Sequence, residues 1–320
     1  MRRGQWVIAL GHPLAAGSVD AAPSASWGIL SNLRRRLVAA SPPGGDNRTR
    51  PLAGFPTLIQ TDARVTLGCS GGGLFNLDGE AIGLTSSVAA VTGAETAGGY
   101  AVPFDAHVRR AVDALLAGRE VEYGFLGVSM GGFGGERTGG VTLSGVTPGM
   151  PAERAGLQAN DRIVGIDDQP VADSDDLFLQ VGAALAGATV QVSYVRGGER
   201  RLATATLAKH KHVLPWVASQ KRPAAFGLRP DWSSMLVLEQ GGGGAKLPAG
   251  VLVADLAPGS PADEKIKPLG DAVGRWLVTA VDGRPVPTPA AFEAATRDRA
   301  AVQLRLYDPA KDQSHEVKLP

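Results

Sequence analysis

The sequence is poor in cysteine, in aromatic residues and in net charge. One cysteine in 320 residues excludes an intramolecular disulfide and leaves the redox compartment open. An aromatic content of 5% favours small β-rich modules over one large core. A net charge of +1 argues against a dedicated nucleic-acid binder. No apolar run approaches the roughly 20 residues of a membrane span.

Glycine and proline, in contrast, are abundant. With 43 Gly, 22 Pro and 44% hydrophobic residues, the composition indicates a loop-rich globular protein of two or three domains. The apolar run Trp6–Leu10 is shorter than the roughly 7–15 residues of a signal-peptide core. It therefore predicts a β-strand, and no convincing signal peptide is present.

A glycine-rich turn between residues 68 and 73 carries the clearest chemical signal. Its glycines permit backbone conformations that a Cβ would forbid. In a Gly-x-Ser-Gly-Gly arrangement, a serine hydroxyl and two backbone N–H groups face one carbonyl, which makes a nucleophile beside an oxyanion hole. The apolar runs Leu74-Phe75 and Ala81–Leu84 follow, joined by an Asp-Gly turn, and predict a hairpin.

Together with Thr61-Asp62-Ala63 and the hairpin, this turn resembles the nucleophile segment of HtrA-type serine proteases. These are chymotrypsin-like proteases followed by PDZ domains. The resemblance implies that Ser70 is the nucleophile and that the N–H groups of Gly68 and Ser70 form the oxyanion hole. Cys69 replaces the family's Asn, and Gly73 replaces its Pro.

Three further segments resemble strands of the family's second barrel: Gly4–Pro13, Ser26–Ser31 and Gly98–Pro103. The segment Ser41–Arg50 is expected to be a surface loop. The helix that follows the barrel is predicted to begin at an Asp105 cap and to end near Gly118. Its apolar face is expected to comprise Val108, Val112, Leu115 and Leu116.

The family's catalytic His and Asp lie on the first barrel, and the segments that carry them do not occur in this sequence. None of the five histidines matches the catalytic position, and Asp62 belongs to Thr-Asp-Ala, which is not the triad acid. A single Cys without a partner His, as Cys69 is, is interpreted as structural. A serine hydroxyl without a base is a weak nucleophile. We therefore expect the chain as given to cleave peptides inefficiently.

Two interpretations of this departure stay open. Either the chain is a truncated paralogue, or its start is misplaced and the first barrel is encoded upstream. The second case predicts an active serine endopeptidase in protein quality control. In the first case the half-barrel exposes an apolar face, which a homo-oligomer or a partner protein is expected to cover.

The remaining two thirds of the chain contain an internal repeat. Gly140–Ala152 aligns with Gly250–Ala262, and Ile166–Val171 aligns with Val281–Val286. The offset rises from 250 − 140 = 110 to 281 − 166 = 115, so the second copy has a five-residue insertion within Asp263–Trp276. Two copies are too few for a solenoid and indicate tandem domains.

Both copies resemble PDZ domains. In the first, Ser174 is predicted to cap a helix with Leu177, Val181 and Leu185 on one face. The alternating residues Val190, Val192 and Tyr194 predict a strand that Gly197-Gly198 turns into the next. The second copy has Thr288-Pro289 as a cap and first-turn proline, and a strand at Val302, Leu304 and Leu306.

The PDZ resemblance implies binding of peptides or unfolded-protein C-termini as an added strand, with the carboxylate held by backbone N–H groups. Leu177 and Val181 are expected to form the pocket wall. The second copy lacks the Ala-Gly-Leu step of the first, which puts its binding in doubt. The carboxylate sites implied are Phe125, Leu126, Gly127 and Val128 in the first copy, and Phe226, Gly227 and Leu228 in the second.

The sequence thus predicts a mainly β chain with α+β modules, the C-terminal half of a chymotrypsin-like double β-barrel followed by two PDZ domains. Its expected parts are a partial barrel (1–104), a connector helix (105–122), a first PDZ domain (123–210), a linker (211–222) and a PDZ-like domain (223–320). No cofactor, metal or nucleic acid is expected. His210 and His212 lack a third ligand, and Gly241–Lys246 lacks P-loop spacing. The family implies an extracytoplasmic location.

Overall fold

A computed structural model describes most of the chain as two compact units, residues 1–117 and 118–320. The described residues are 1–13, 22–35, 58–87, 98–130, 139–211, 218, 220–239 and 247–320.

The first unit contains a closed antiparallel barrel of six strands in the order β1-β2-β3-β6-β5-β4. Pairing of β1 with β4 closes it, with Val7 opposite Asn76 and Leu10 opposite Gly73. Alternate residues of the strands fill the core, among them Val7, Leu30 and Leu74. The strands are β1 (Trp6–Gly11), β2 (Ser24–Arg35), β3 (Leu58–Thr61), β4 (Gly73–Asn76), β5 (Ala81–Ser86) and β6 (Gly99–Pro103).

The predicted hairpin and strands of the barrel are confirmed. Between β4 and β5, the Asn76 side chain accepts hydrogen bonds from the N–H groups of Asp78 (3.0 Å) and Glu80 (2.9 Å). Gly79 has a φ of +79°, a left-handed conformation that favours glycine. The Asp-Gly pair thus predicted the turn correctly, because the turn requires a residue with a left-handed backbone conformation at Gly79.

Helix α1 (Ala106–Leu116) follows the barrel and begins as predicted. The Asp105 side chain accepts hydrogen bonds from the N–H groups of His107 and Val108, and Gly118 has a positive φ just beyond the helix. The apolar face, however, is not buried: Ala114 is the buried residue of the helix, and Leu116 is 82% exposed. The sequence pattern predicted an amphipathic helix, but burial depends on what packs against it.

The second unit contains two modules with the same strand order. The sheet of the first module has the strand order β13-β12-β10-β9-β8, and β11 pairs with β10. Strands β7 and β14 form a separate two-stranded sheet. The sheet of the second module has the order β20-β19-β17-β16-β15, and β18 pairs with β17. The first module has β7 (Gly124–Phe125), β8 (Val128–Met130), β9 (Val141–Val146), β10 (Arg162–Ile166), β11 (Gln169–Pro170), β12 (Thr189–Arg196), β13 (Glu199–Thr206) and β14 (Ala208–Lys209). The second has β15 (Leu228–Trp232), β16 (Val251–Leu256), β17 (Leu277–Val281), β18 (Arg284–Pro285), β19 (Val302–Asp308) and β20 (Gln313–Leu319).

Both helices of the first module have counterparts in the second, which has a further helix, Ser234–Glu239. The predicted insertion falls where α5 and a 3-10 turn (Lys267–Leu269) take the place of the shorter α2. The helices are α2 (Pro151–Arg154) and α3 (Ser174–Ala183) in the first module, and α4 (Ser234–Glu239), α5 (Pro261–Ile266) and α6 (Pro289–Thr296) in the second.

The prediction that Ser174 caps α3 is wrong. The cap is Asp173, whose side chain accepts a hydrogen bond from the N–H of Asp176, and Ser174 is the first helical residue. Both residue types make good caps, so sequence alone could not choose between neighbours. The helix also ends at Ala183, before Leu185. Thr288 and Pro289, in contrast, cap and open α6 as predicted.

Some predicted segments lie outside the described residues. They are the Ser41–Arg50 loop, the Gly241–Lys246 loop, His212 and most of the linker between the modules.

Candidate functional site

Ser70 lies in a tight turn between β3 and β4. The N–H of Cys69 donates to the Thr66 carbonyl (3.0 Å), and the N–H of Gly72 donates to the Cys69 carbonyl (3.1 Å). Gly68 and Gly71 have φ values of +92° and +86°. The glycines therefore serve the turn that presents the serine, as the motif predicted.

The turn is bound to β5 and β1. Gly71 donates to the Thr85 carbonyl (2.9 Å), and Thr85 donates to the Gly72 carbonyl (2.8 Å). A Cβ on Gly72 would lie 2.0 Å from the Leu10 carbonyl oxygen, so only glycine is accommodated there. The position of Ser70 is thus set by two strands that are far from it in sequence.

The hydroxyl of Ser70 is bonded to Ser87, a residue that the sequence analysis did not single out. The two Oγ atoms are 2.7 Å apart, and the backbone N–H of Ser87 donates to Ser70 Oγ at 2.8 Å. Ser87 is 6% exposed and follows β5 directly. Its proximity results from the β4–β5 hairpin, whose hydrogen bonds continue to Gly71, Gly72 and Thr85 and so bring Ser87 beside Ser70. The sequence predicted the hairpin but did not single out this pair.

The two N–H groups assigned to the oxyanion hole are those of Gly68 and Ser70. Neither has a hydrogen-bond acceptor among the described residues. The oxyanion hole stays a prediction. Cys69 is buried beside Gly11, where an added Cβ would lie 2.9 Å from the Cys69 Cβ, which supports a structural role for the thiol.

No imidazole bonds to Ser70 within the described part of the chain. His12 follows β1, His107 hydrogen-bonds to Arg110, His210 packs against Phe125, and the His315 ring stacks on Trp276. The Asp62 carboxylate accepts a hydrogen bond from the N–H of Ile29 at 2.6 Å. Asp62 thus anchors β2 of the barrel.

The loop Phe125–Val128 of the first module precedes β8, the edge strand of its sheet. The Leu126 carbonyl accepts from the N–H of Ala152, and the Gly127 carbonyl accepts from that of Thr147, both at 2.8 Å. Gly127 has a φ of +81°. Since its carbonyls accept hydrogen bonds on one side, the loop has a defined conformation beside β8, which ends the strand order of the described sheet.

Leu177 and Val181, the predicted pocket wall, lie on the buried face of α3 and belong to the module core. Their contact with a peptide stays a prediction.

In the second module, the equivalent loop is closed on itself. Phe226 and Gly227 have φ values of +55° and +87°. The N–H of Leu228 donates to the Ala225 carbonyl, and the N–H of Ala225 donates to the Leu228 carbonyl, both at 2.9 Å. One of the amides expected to hold a carboxylate is thus already used within the turn.

Neither a membrane-spanning helix nor a metal-binding cluster occurs among the described residues. No helix there is long and apolar enough to cross a membrane. No group of three or more His, Cys, Asp or Glu side chains in the described ranges could hold a metal ion.

Comparison with known families matches both parts of the chain. The trypsin-like peptidase domain matches residues 1–84, and the PDZ domain matches residues 124–207.

Curated relatives share the description "Probable periplasmic serine endoprotease DegP-like". The relative from Halomonas elongata is 31% identical over 275 residues, covering 81% of this chain and 52% of the relative. The one from Marinomonas sp. is 28% identical over 309 residues, covering 93% and 59%. The chain thus spans about half the length of the curated relatives it matches.

Among solved structures, the HtrA-type protease AlgW with decapeptide is 26% identical. The similarity covers 66% of this chain and 62% of that one, with a TM-score of 0.46.

Proposed function

Because the chain belongs to the HtrA-type family of PDZ-containing, trypsin-like serine proteases, we propose that its 320 residues bind peptide C-termini through the first PDZ domain. The observation that carries the proposal is that β8, beside the Phe125–Val128 loop, is the edge strand of the sheet among the described residues. A PDZ domain binds an extended peptide as an added strand at such an edge. The N–H groups of Leu126, Gly127 and Val128 would hold the terminal carboxylate.

We further propose that this chain alone is not an efficient protease. Ser70 Oγ bonds to Ser87, and no described histidine replaces that partner. Loss of the triad histidine lowers turnover by about a millionfold, which leaves roughly 10³–10⁴ over water from the oxyanion hole and binding. Peptide hydrolysis in water is so slow that this residual activity would not sustain proteolysis.

An active serine endopeptidase in protein quality control is the second candidate. It is favoured by the preserved serine turn, in which the N–H groups of Gly68 and Ser70 have no acceptor among the described residues. In that case, His and Asp come from sequence outside these 320 residues.

Since the relatives are described as periplasmic, we extend an extracytoplasmic location to this chain in both cases. A homo-oligomer or a partner would cover the apolar face of the barrel.

The binding proposal is tested by NMR titration of the intact chain with a peptide that ends in apolar residues and a free carboxylate. We expect shifts of the backbone amides of Leu126, Gly127 and Val128, and none at Gly227 or Leu228. The same peptide with an amidated C-terminus is the matched control and should bind weakly. Absence of binding, or shifts confined to the second loop, would contradict the proposal.

The state of Ser70 is tested by labelling with a fluorophosphonate, with Ser70→Ala as the control. We expect labelling no faster than that of the control, because the hydroxyl has no base to take its proton. Rapid labelling that disappears in Ser70→Ala would show an activated serine and favour the second candidate.

A further inference from the structure

A cluster of buried apolar side chains joins the two PDZ domains. We call it the seam. From the first domain, Met150 is 1% exposed and Phe125 packs against the cluster. The second domain contributes Leu236, Val237, Leu247, Leu252 and Leu277, with Met235 and Tyr307 packed against them.

The seam reaches the carboxylate-binding loop of the first domain directly. A Cβ on Gly127 would lie 2.4 Å from the Met150 Cβ, so the loop rests on that side chain. On the other side, a Cβ on Gly149 would lie 3.1 Å from the Leu247 carbonyl oxygen. Leu247 of the second domain thus supports the 149–150 turn, which in turn supports Gly127.

A second group of contacts is polar and is centred on Glu122, just before the first domain's loop. Its carboxylate accepts hydrogen bonds from Arg222 Nη2 (2.6 Å) and Trp232 Nε1 (3.0 Å), and Lys209 Nζ lies 3.3 Å away. Trp232 belongs to the second domain, and a Cβ on Gly187 of the first would lie 3.6 Å from its ring. Glu122 therefore connects the two domains and the linker.

The two cations of this group are shared with acids of the second domain. Arg222 Nη1 donates to Glu293 on α6 at 3.0 Å, and Lys209 Nζ donates to Asp231 on β15 at 2.9 Å. The Lys209 and Glu122 side chains are only 11% and 16% exposed. Since partly buried charges are costly without partners, the group holds the domains in one relative arrangement.

In the second domain, one of the N–H groups that a peptide receptor needs is already engaged. The Leu228 N–H is bonded to Ala225 within a closed turn. The Ala225–Leu228 turn follows the linker, and the Arg222 carbonyl in that linker accepts a hydrogen bond from Arg229 Nε at 2.9 Å. The start of β15 is therefore engaged with its own chain.

We infer that the second PDZ domain is not a second peptide receptor but a brace that holds the carboxylate-binding loop of the first in its binding conformation. The inference rests on the proposed function, in which the first domain binds C-termini. A loop that is already ordered loses less conformational freedom when a peptide binds, so the brace raises affinity without touching the peptide.

The test uses two variants of the intact chain. Leu247→Ala truncates a side chain of the seam, and Arg222→Gln removes the positive charge that Glu122 and Glu293 share. The matched control is Arg305→Gln, in an exposed ion pair with Glu316 on β20 (2.7 Å) that lies outside the seam. Hydrogen exchange of residues 125–128 is measured without peptide, and peptide affinity is then measured by anisotropy.

We expect Leu247→Ala and Arg222→Gln each to speed exchange in the loop and to weaken peptide binding by about fivefold or more, the lower end of typical coupling between sites. Arg305→Gln should leave both unchanged. Unchanged loop exchange in Arg222→Gln would overturn the brace even if Leu247→Ala failed to fold. If the parent chain bound no peptide, the proposed function would fail, while the exchange data would still decide the brace.

Discussion

The loops before β8 and before β15 occupy equivalent places in two sheets of the same strand order, yet they use their amides differently. In each loop, two backbone carbonyls accept hydrogen bonds from backbone N–H groups at corresponding positions. The donors are Ala152 and Thr147 for the first loop, and Ala262 and Ala257 for the second. Only the second loop closes into a turn, with Phe226 in the left-handed region. The comparison teaches that a shared motif and fold need not mean a shared binding site.

The largest effects are expected in the two cores. Phe292→Ala in the second PDZ domain should lower the free energy of unfolding by about 3–5 kcal/mol, and Leu143→Ala in the first by about 2–5 kcal/mol, since both side chains are fully buried. Because the seam joins the domains, each variant should also weaken hydrogen-exchange protection in the other domain. Protection that changes only in the substituted domain would show that the two unfold independently.

The next effect concerns the Phe125–Val128 loop, which is the proposed carboxylate site. Gly127→Ala should cost about 1–2 kcal/mol from the left-handed backbone alone, and more from overlap with Met150. Urea unfolding and peptide titration should both show the loss. Gly145→Ala is the matched control, because a Cβ there would meet no atom within 4 Å. Wild-type peptide affinity in Gly127→Ala would remove the loop from the proposed site.

A pH effect should follow from the contacts between the domains. Burial alone would raise the pKa of Glu122, but the charges of Arg222 and Lys209, together with hydrogen bonds from Trp232 and Arg222, lower it below its usual value. Its contribution to stability is therefore fully present above the unfolded pKa of about 4.3 and is lost as the pH falls through the lower folded pKa.

Glu122→Gln should therefore reduce the loss of stability on acidification below about pH 4.3, measured by urea unfolding at several pH values. Glu264→Gln, on the exposed side of α5, is the control. An acid dependence identical in Glu122→Gln and the parent chain would show that the carboxylate does not stabilise the arrangement of the domains.

The smallest effect is expected for the exposed pair of Arg305 and Glu316. Arg305→Gln should change the free energy of unfolding by less than about 1 kcal/mol, because solvent-exposed ion pairs contribute little. Thermal unfolding at low and high salt measures it. If Arg305→Gln lowered the free energy of unfolding more than Arg222→Gln does, the exposed ion pair would contribute more than the partly buried one, contrary to this expectation.

Much of the fold was predictable from local signals. The Asp78-Gly79 turn, the Asp105 cap and the Thr288-Pro289 helix start each satisfy a backbone requirement within four residues, so the sequence pattern carries the information. The repeat likewise predicted two modules, and their sheets have the same strand order. Where two neighbours could serve, as Asp173 and Ser174 could at the start of α3, the local signal did not choose between them.

The candidate sites were predictable only in part. Ser70 and its glycine turn stand in one short motif, but Ser87, the residue bonded to its hydroxyl, lies 17 positions away. The exposure of Leu116 on α1 and the burial of Glu122 depend on what packs against them. Neither is encoded in the spacing of residues along a helix or strand.

The sequence by itself determined the elements, the glycine turns and the family, because each depends on residues close together along the chain. Only the tertiary structure decided that Ser70 bonds to Ser87 and that Glu122 lies between two domains. Both depend on contacts between segments that are apart in the sequence. A polar group that such contacts bury needs a hydrogen-bond partner in the protein, whereas an exposed one can bond to water.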